Sequence, residues 1–171
     1  MYFEFLFIIF DYFKTINNKI FCFEWGIPLI LGSCSLLLSF FMPQYIMVNE
    51  FIKESIAILG VLLGFTLTAI TLFVSSENNQ IKNAKEYITE YSIGSKKITL
   101  YRLLIVNYSY LITVEALLCI SYFIGKLFSP ICNNNVGIVL NSIYVIGVCH
   151  ILFLTIRSIT DLYLTLTSNK K

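Results

Sequence analysis

The sequence predicts an all-α integral membrane protein with four transmembrane helices. Of its 171 residues, 57% are hydrophobic and only 13% charged. That is about half the charge with which a soluble domain covers its surface, roughly a quarter of residues. The apolar residues are also gathered into four runs, each close to the ~20 helical residues that cross a bilayer core of ~30 Å. The basic residues are unevenly distributed between the ends of those runs, which gives them a direction.

The chain begins with an apolar segment interrupted by Glu4 and Asp11. The six uncharged residues between them are too few to span. Residues 1–23 are therefore predicted to form an interfacial segment lying against the membrane, with a fifth, partial span as the alternative. It has neither the basic start nor the small-residue cleavage site of a signal peptide. The first span is expected at about 24–42, with Pro28 in its first turn, where proline is tolerated, and Pro43 ending it. The second, third and fourth are expected at about 55–75, 103–124 and 137–157.

Between spans two and three, residues 76–100 form the one sizeable hydrophilic element. Ile81, Ala84, Ile88 and Tyr91 recur at helical spacing. This predicts that span two continues as an amphipathic helix, broken at Gly94. Residues 158–171 are expected to be a tail.

Orientation follows from lysine and arginine. Lys14, Lys19, Lys82, Lys85, Lys96, Lys97, Arg102, Arg157, Lys170 and Lys171 fall on one side, against Lys53 and Lys126 on the other. The expected location is the cell inner membrane, with both termini and the 76–100 loop cytoplasmic. Besides the lipid bilayer, the expected partners are further copies of the chain and a cytosolic protein meeting 76–100. No basic cluster points to nucleic acid.

No chemistry-bearing motif is present. Cys22, Cys34, Cys119, Cys132 and Cys149 lack CxxC spacing, and His150 is the single histidine. No metal or other cofactor is expected, and no catalytic residue is assigned. One mid-span glutamate does not make an intramembrane protease dyad, so the chain is not expected to be an enzyme.

The polar residues inside the spans are the candidate sites. On span two, Ala57, Gly60, Gly64, Thr68, Thr71 and Ser75 fall on one narrow face at 100° per residue. Leu59, Leu62 and Phe73 lie opposite, with Thr66 among them. Helices in lipid associate through close backbone approach, which small side chains permit. The stripe is therefore expected to be a helix-packing seam, with a pore-lining face as the alternative.

The same span carries the sequence AILGVLLGFTLTAITLF from Ala57, with LLGF at its centre. This stretch, with the plan of four spans and an inner loop, resembles small membrane subunits of bacterial anti-phage defence systems, of the Kiwa membrane subunit type. The resemblance covers one span and the overall plan. It implies an oligomeric membrane sensor or effector working with a cytosolic partner.

On span three, Tyr101, Tyr108, Glu115 and Tyr122 are spaced by sevens and share a face. A mid-span carboxylate costs about 2.5–3.5 kcal/mol on insertion scales unless it is protonated, paired or wetted. Tyr108, Tyr122 and His150 are its expected partners. This polar group is either an interhelical hydrogen bond or an ion or proton site of a channel or small transporter. Arg157 and Asp161, four residues apart, are expected to form an ion pair at the inner end of span four.

Overall fold

The computed structural model describes residues 4–41, 46–76, 78–128 and 134–167. Pro43, Cys132, Lys170 and Lys171 lie outside the described residues. Helix α1 (Glu4–Lys14) comes first. It is followed by a near-continuous helix made of α2 (Asn18–Phe21), a π turn (Cys22–Gly26) and α3 (Ile27–Phe41). Helix α4 covers Ile46–Ser75 and α5 covers Asn79–Glu86. Strands β1 (Ile88–Ile93) and β2 (Lys96–Thr99) precede the long helices α6 (Leu100–Phe128) and α7 (Asn134–Thr167).

Among the described residues, four helical stretches are long and apolar enough to cross a membrane: Asn18–Phe41, Lys53–Ser75, Leu100–Leu127 and Val136–Thr167. They pack α3 on α7, α7 on α6, and α6 on α4. Two close approaches use glycine. A Cβ at Gly32 would collide with Ile146, and one at Gly147 would sit 2.7 Å from Leu118 Cδ1. Leu59, Tyr110, Leu111, Val148, Ile151 and Leu154 fill the core between the helices.

The first span begins earlier than expected. Asn17 caps it by accepting the Ile20 N–H at 3.0 Å, so the helix starts at Asn18 rather than near Glu24. The fourth runs further than expected. Residues 158–167 continue α7, because Ser158 and Thr165 stay buried and Leu162 packs against the Phe73, Ile81 and Leu104 cluster. With a rise of ~1.5 Å per residue, α6 and α7 reach about 43 and 51 Å, well beyond a ~30 Å hydrocarbon core.

The 76–100 segment departs most from expectation. Helix α4 stops at Ser75, and Asn78 starts a separate helix by accepting the Ile81 N–H at 2.9 Å. Ile81 and Ala84 are buried as their spacing implied. Ile88 and Tyr91 instead belong to an antiparallel hairpin, with Ile93 opposite Lys96 and a bulge between Ile88 and Ser92. Gly94 sits at φ 67°, which a two-residue turn requires. Burial along ITEYSI alternates with period two, as in a strand, in place of the helical period.

Helix α1 is not a free segment. It lies against α6 and beside β1, with Tyr12 fully buried.

Candidate functional site: a buried glutamate joined to four helices

The polar centre of the bundle forms around Glu24, on the π turn at the start of the first span. Pro28 lacks an N–H, so the Glu24 carbonyl has no donor four residues on. Just before it, the helix widens, and Ile27 N–H reaches back to Cys22 O. His150 of α7 takes up the orphaned carbonyl, its Nδ1 lying 2.7 Å from Glu24 O. A carbonyl can only accept, so Nδ1 carries a proton. In the neutral ring Nε2 is then the acceptor, and the Tyr110 hydroxyl at 3.1 Å donates to it.

The Glu24 side chain is fully buried and engages two further elements. Arg157 Nη1 donates to Oε1 at 2.7 Å, and the Tyr12 hydroxyl of α1 donates to Oε2. Arg157 Nε also lies 3.5 Å from Asp161 Oδ2, so the expected i,i+4 pair forms. It is the more exposed and longer of the two arginine contacts. Burial and the hydrogen bond to Glu24 push the Tyr12 phenol well above its usual range, keeping it a neutral donor.

The rings reinforce these bonds. Tyr12 stacks on Tyr110 with centroids 3.5 Å apart and planes 6° apart. Trp25 lies against His150 at 4.2 Å. One carboxylate thus ties α1, the first span and α7 together, and the rings and His150 add α6. An arrangement of this kind fixes the register of four helices. It also makes the position of α1 dependent on the interior of the bundle.

The residues singled out from sequence are distributed differently from expectation. Glu115 is fully buried in α6 and accepts from Thr66 Oγ1 of α4 at 2.8 Å. Its hydrogen-bond partner is neither His150 nor a tyrosine. Both His150 ring nitrogens are already engaged with Glu24 and Tyr110. Tyr110 and Glu115 are five residues apart, a turn of about 140°, so they look toward different neighbours. The Tyr108 hydroxyl donates to Ser158 O at 3.2 Å, and the Tyr122 ring packs on Tyr144 at 5.7 Å. Each member of the expected polar group has its own partner.

The span-two stripe faces away from the rest of the chain. Ala57, Gly60, Gly64, Thr68, Thr71 and Ser75 are all exposed, whereas Leu59, Thr66 and Phe73 are buried. A Cβ added at Gly60 or Gly64 would meet nothing within 4 Å. The Thr68 and Thr71 hydroxyls bond back to Gly64 O and Leu67 O, at 2.8 and 2.7 Å. These two polar groups are therefore satisfied within their own helix.

Sequence reading passed over Glu24, Tyr12 and Tyr110. The available signal was electrostatic: Glu24 and Arg157 are opposite charges at the same end of two apolar runs. Comparisons with protein-family models, with curated proteins and with solved structures found no match to this chain.

Proposed function

We propose that the chain is an oligomeric multi-pass protein of the cell inner membrane. In this reading it acts as a membrane sensor or effector with a cytosolic partner, in the anti-phage setting that the Kiwa-type resemblance implies. Its termini and the 76–100 segment face the cytoplasm, in keeping with the bias of basic residues.

One observation carries the oligomer. Gly32 and Gly147 serve close contacts inside the chain, while Gly60 and Gly64 serve none. Four further small or hydroxyl residues share their open face. In lipid, such a face gains by meeting another helix, because close backbone approach supplies the van der Waals contact that lipid tails do not. The Glu24 centre supports the signalling half of the proposal. It joins α1 and the first span to α6 and α7, whose inner ends carry α5 and the hairpin.

The channel or transporter alternative takes a narrower form. Glu115 is enclosed between α4 and α6, and the small-residue stripe points outward. A conducting path would therefore lie between copies rather than within one chain.

Two measurements on the purified protein test the proposal. The mass in detergent should exceed that of one chain, and reconstituted bilayers should show no charge-selective current. A single-chain mass contradicts the oligomer. A current abolished by Thr68→Leu or Thr71→Leu would instead favour the channel.

A further inference from the structure

The outer surface of α1 has a division of its own. At about 100° per residue, its side chains fall into three sectors roughly 120° apart. Ile8, Ile9 and Tyr12 turn toward the bundle and join its core, with the exposed Phe5 on the same side at the start of the helix. Glu4, Asp11 and Lys14 gather in a second sector, with Phe7 among them and Asp11 within 3.4 Å of Lys14. Leu6, Phe10 and Phe13 make up the third, all of them exposed.

A helix packed only on protein has no use for a second apolar sector. One lying in the plane of a membrane surface, alongside a bundle, has protein at its side, acyl chains on one flank and water on the other. The three sectors of α1 have that order. The apolar flank also continues into the first span. Phe13 packs on Trp25 at 5.8 Å, and Phe21 and Phe23 nearby are exposed.

We propose that α1 lies in the membrane surface at the hairpin end of the bundle. Leu6, Phe10 and Phe13 enter the acyl-chain boundary, while Glu4, Asp11 and Lys14 face water. Tyr12 holds the opposite side of the helix to Glu24 and Tyr110. The occupant of the third sector is lipid rather than protein because the sector is continuous with the apolar outside of the spans. This inference rests on reading the four long helices as membrane spans.

The chain has one tryptophan, Trp25, so single-tryptophan variants can be built on Trp25→Phe. Phe10→Trp, Phe7→Trp and Ile143→Trp, the last on the exposed side of span four, are reconstituted into bilayers with brominated acyl chains. Each exchange places a large apolar side chain at an exposed position, where packing is least disturbed. Ile143→Trp and Phe10→Trp should lose most of their emission to bromine. Phe7→Trp should be quenched by aqueous iodide instead.

If Ile143→Trp is quenched by bromine but Phe10→Trp is reached by iodide, α1 lies outside the lipid and the proposal falls. It also falls if Phe10→Trp is shielded from both quenchers, since a protein then covers the sector. Failure of bromine to quench Ile143→Trp would overturn the membrane-span reading itself.

Discussion

Replacing Arg157 with leucine should damage this protein more than removing the charge of its partner. Glu24 is fully buried and has two side-chain donors, Arg157 Nη1 at 2.7 Å and the Tyr12 hydroxyl. Arg157→Leu leaves the carboxylate with Tyr12 alone. Removing one partner of a buried ion pair costs ~3–5 kcal/mol, and even the lower figure is about a hundredfold in the folding equilibrium. Glu24→Gln is milder. Its amide oxygen still accepts from a donor, and Arg157 keeps Asp161 at 3.5 Å and a side chain 13% exposed, through which its charge can reach water. The expected cost is ~1–3 kcal/mol.

The double variant should be more stable than Arg157→Leu alone, because no uncompensated charge remains buried. Reversible unfolding in mixed micelles, followed by emission of Trp25 beside His150, measures all four states. The reasoning is refuted if Glu24→Gln is as damaging as Arg157→Leu, or if the double variant loses the sum of the two single effects.

Tyr12→Phe keeps the ring stack on Tyr110 but removes a hydrogen bond to a charged group. It should cost about 1.5–3 kcal/mol and raise protease access to α1 before the bundle unfolds. Gly32→Ala should destabilise by ~1–3 kcal/mol, since its Cβ meets the body of Ile146. Gly147→Ala should cost less, because the end of Leu118 can move; equal thermal shifts would count against this packing. Gly60→Leu and Gly64→Leu should leave the unfolding midpoint of the isolated chain unchanged while lowering oligomer mass. Leu59→Ala should do the reverse, at about 2–5 kcal/mol. Glu115→Leu should be structurally mild, since Thr66 retains Leu63 O at 3.1 Å as an acceptor. If it unfolds the protein, the Thr66 contact is worth more than its geometry implies.

The four long helices were legible because length and lack of charge are local properties, carried by runs such as 55–74. Their ends were less so. Glu24 reads as the edge of a span, yet the helix continues six residues before it, since Arg157 and Tyr12 satisfy the carboxylate. The hairpin was hidden by ambiguity. Ile81, Ala84, Ile88 and Tyr91 fit a helix, whereas only Tyr91 and Ile93 keep the period of a strand, and Gly94 decides between them through its turn. The stripe on α4 was fully legible as a face, though its direction was not, because periodicity cannot say which side meets the chain's own core. Pairing was the least legible feature. Glu24 and Arg157 are separated by 133 positions, and only the fold brings them together.

The proposed seam between copies is tested most directly by disulfide cross-linking in a cysteine-free background. Bridging requires Cα atoms within about 7 Å, a separation that small-residue helix seams reach. Single cysteines are introduced at Gly64 and Thr68 on the stripe, and at Ile58, which is exposed about 120° around α4 from the stripe's centre. The seam predicts dimers linked at Gly64→Cys or Thr68→Cys under mild oxidation in the membrane, and none at Ile58→Cys. Cross-linking at Ile58→Cys alone, or equally at all three positions, would contradict it.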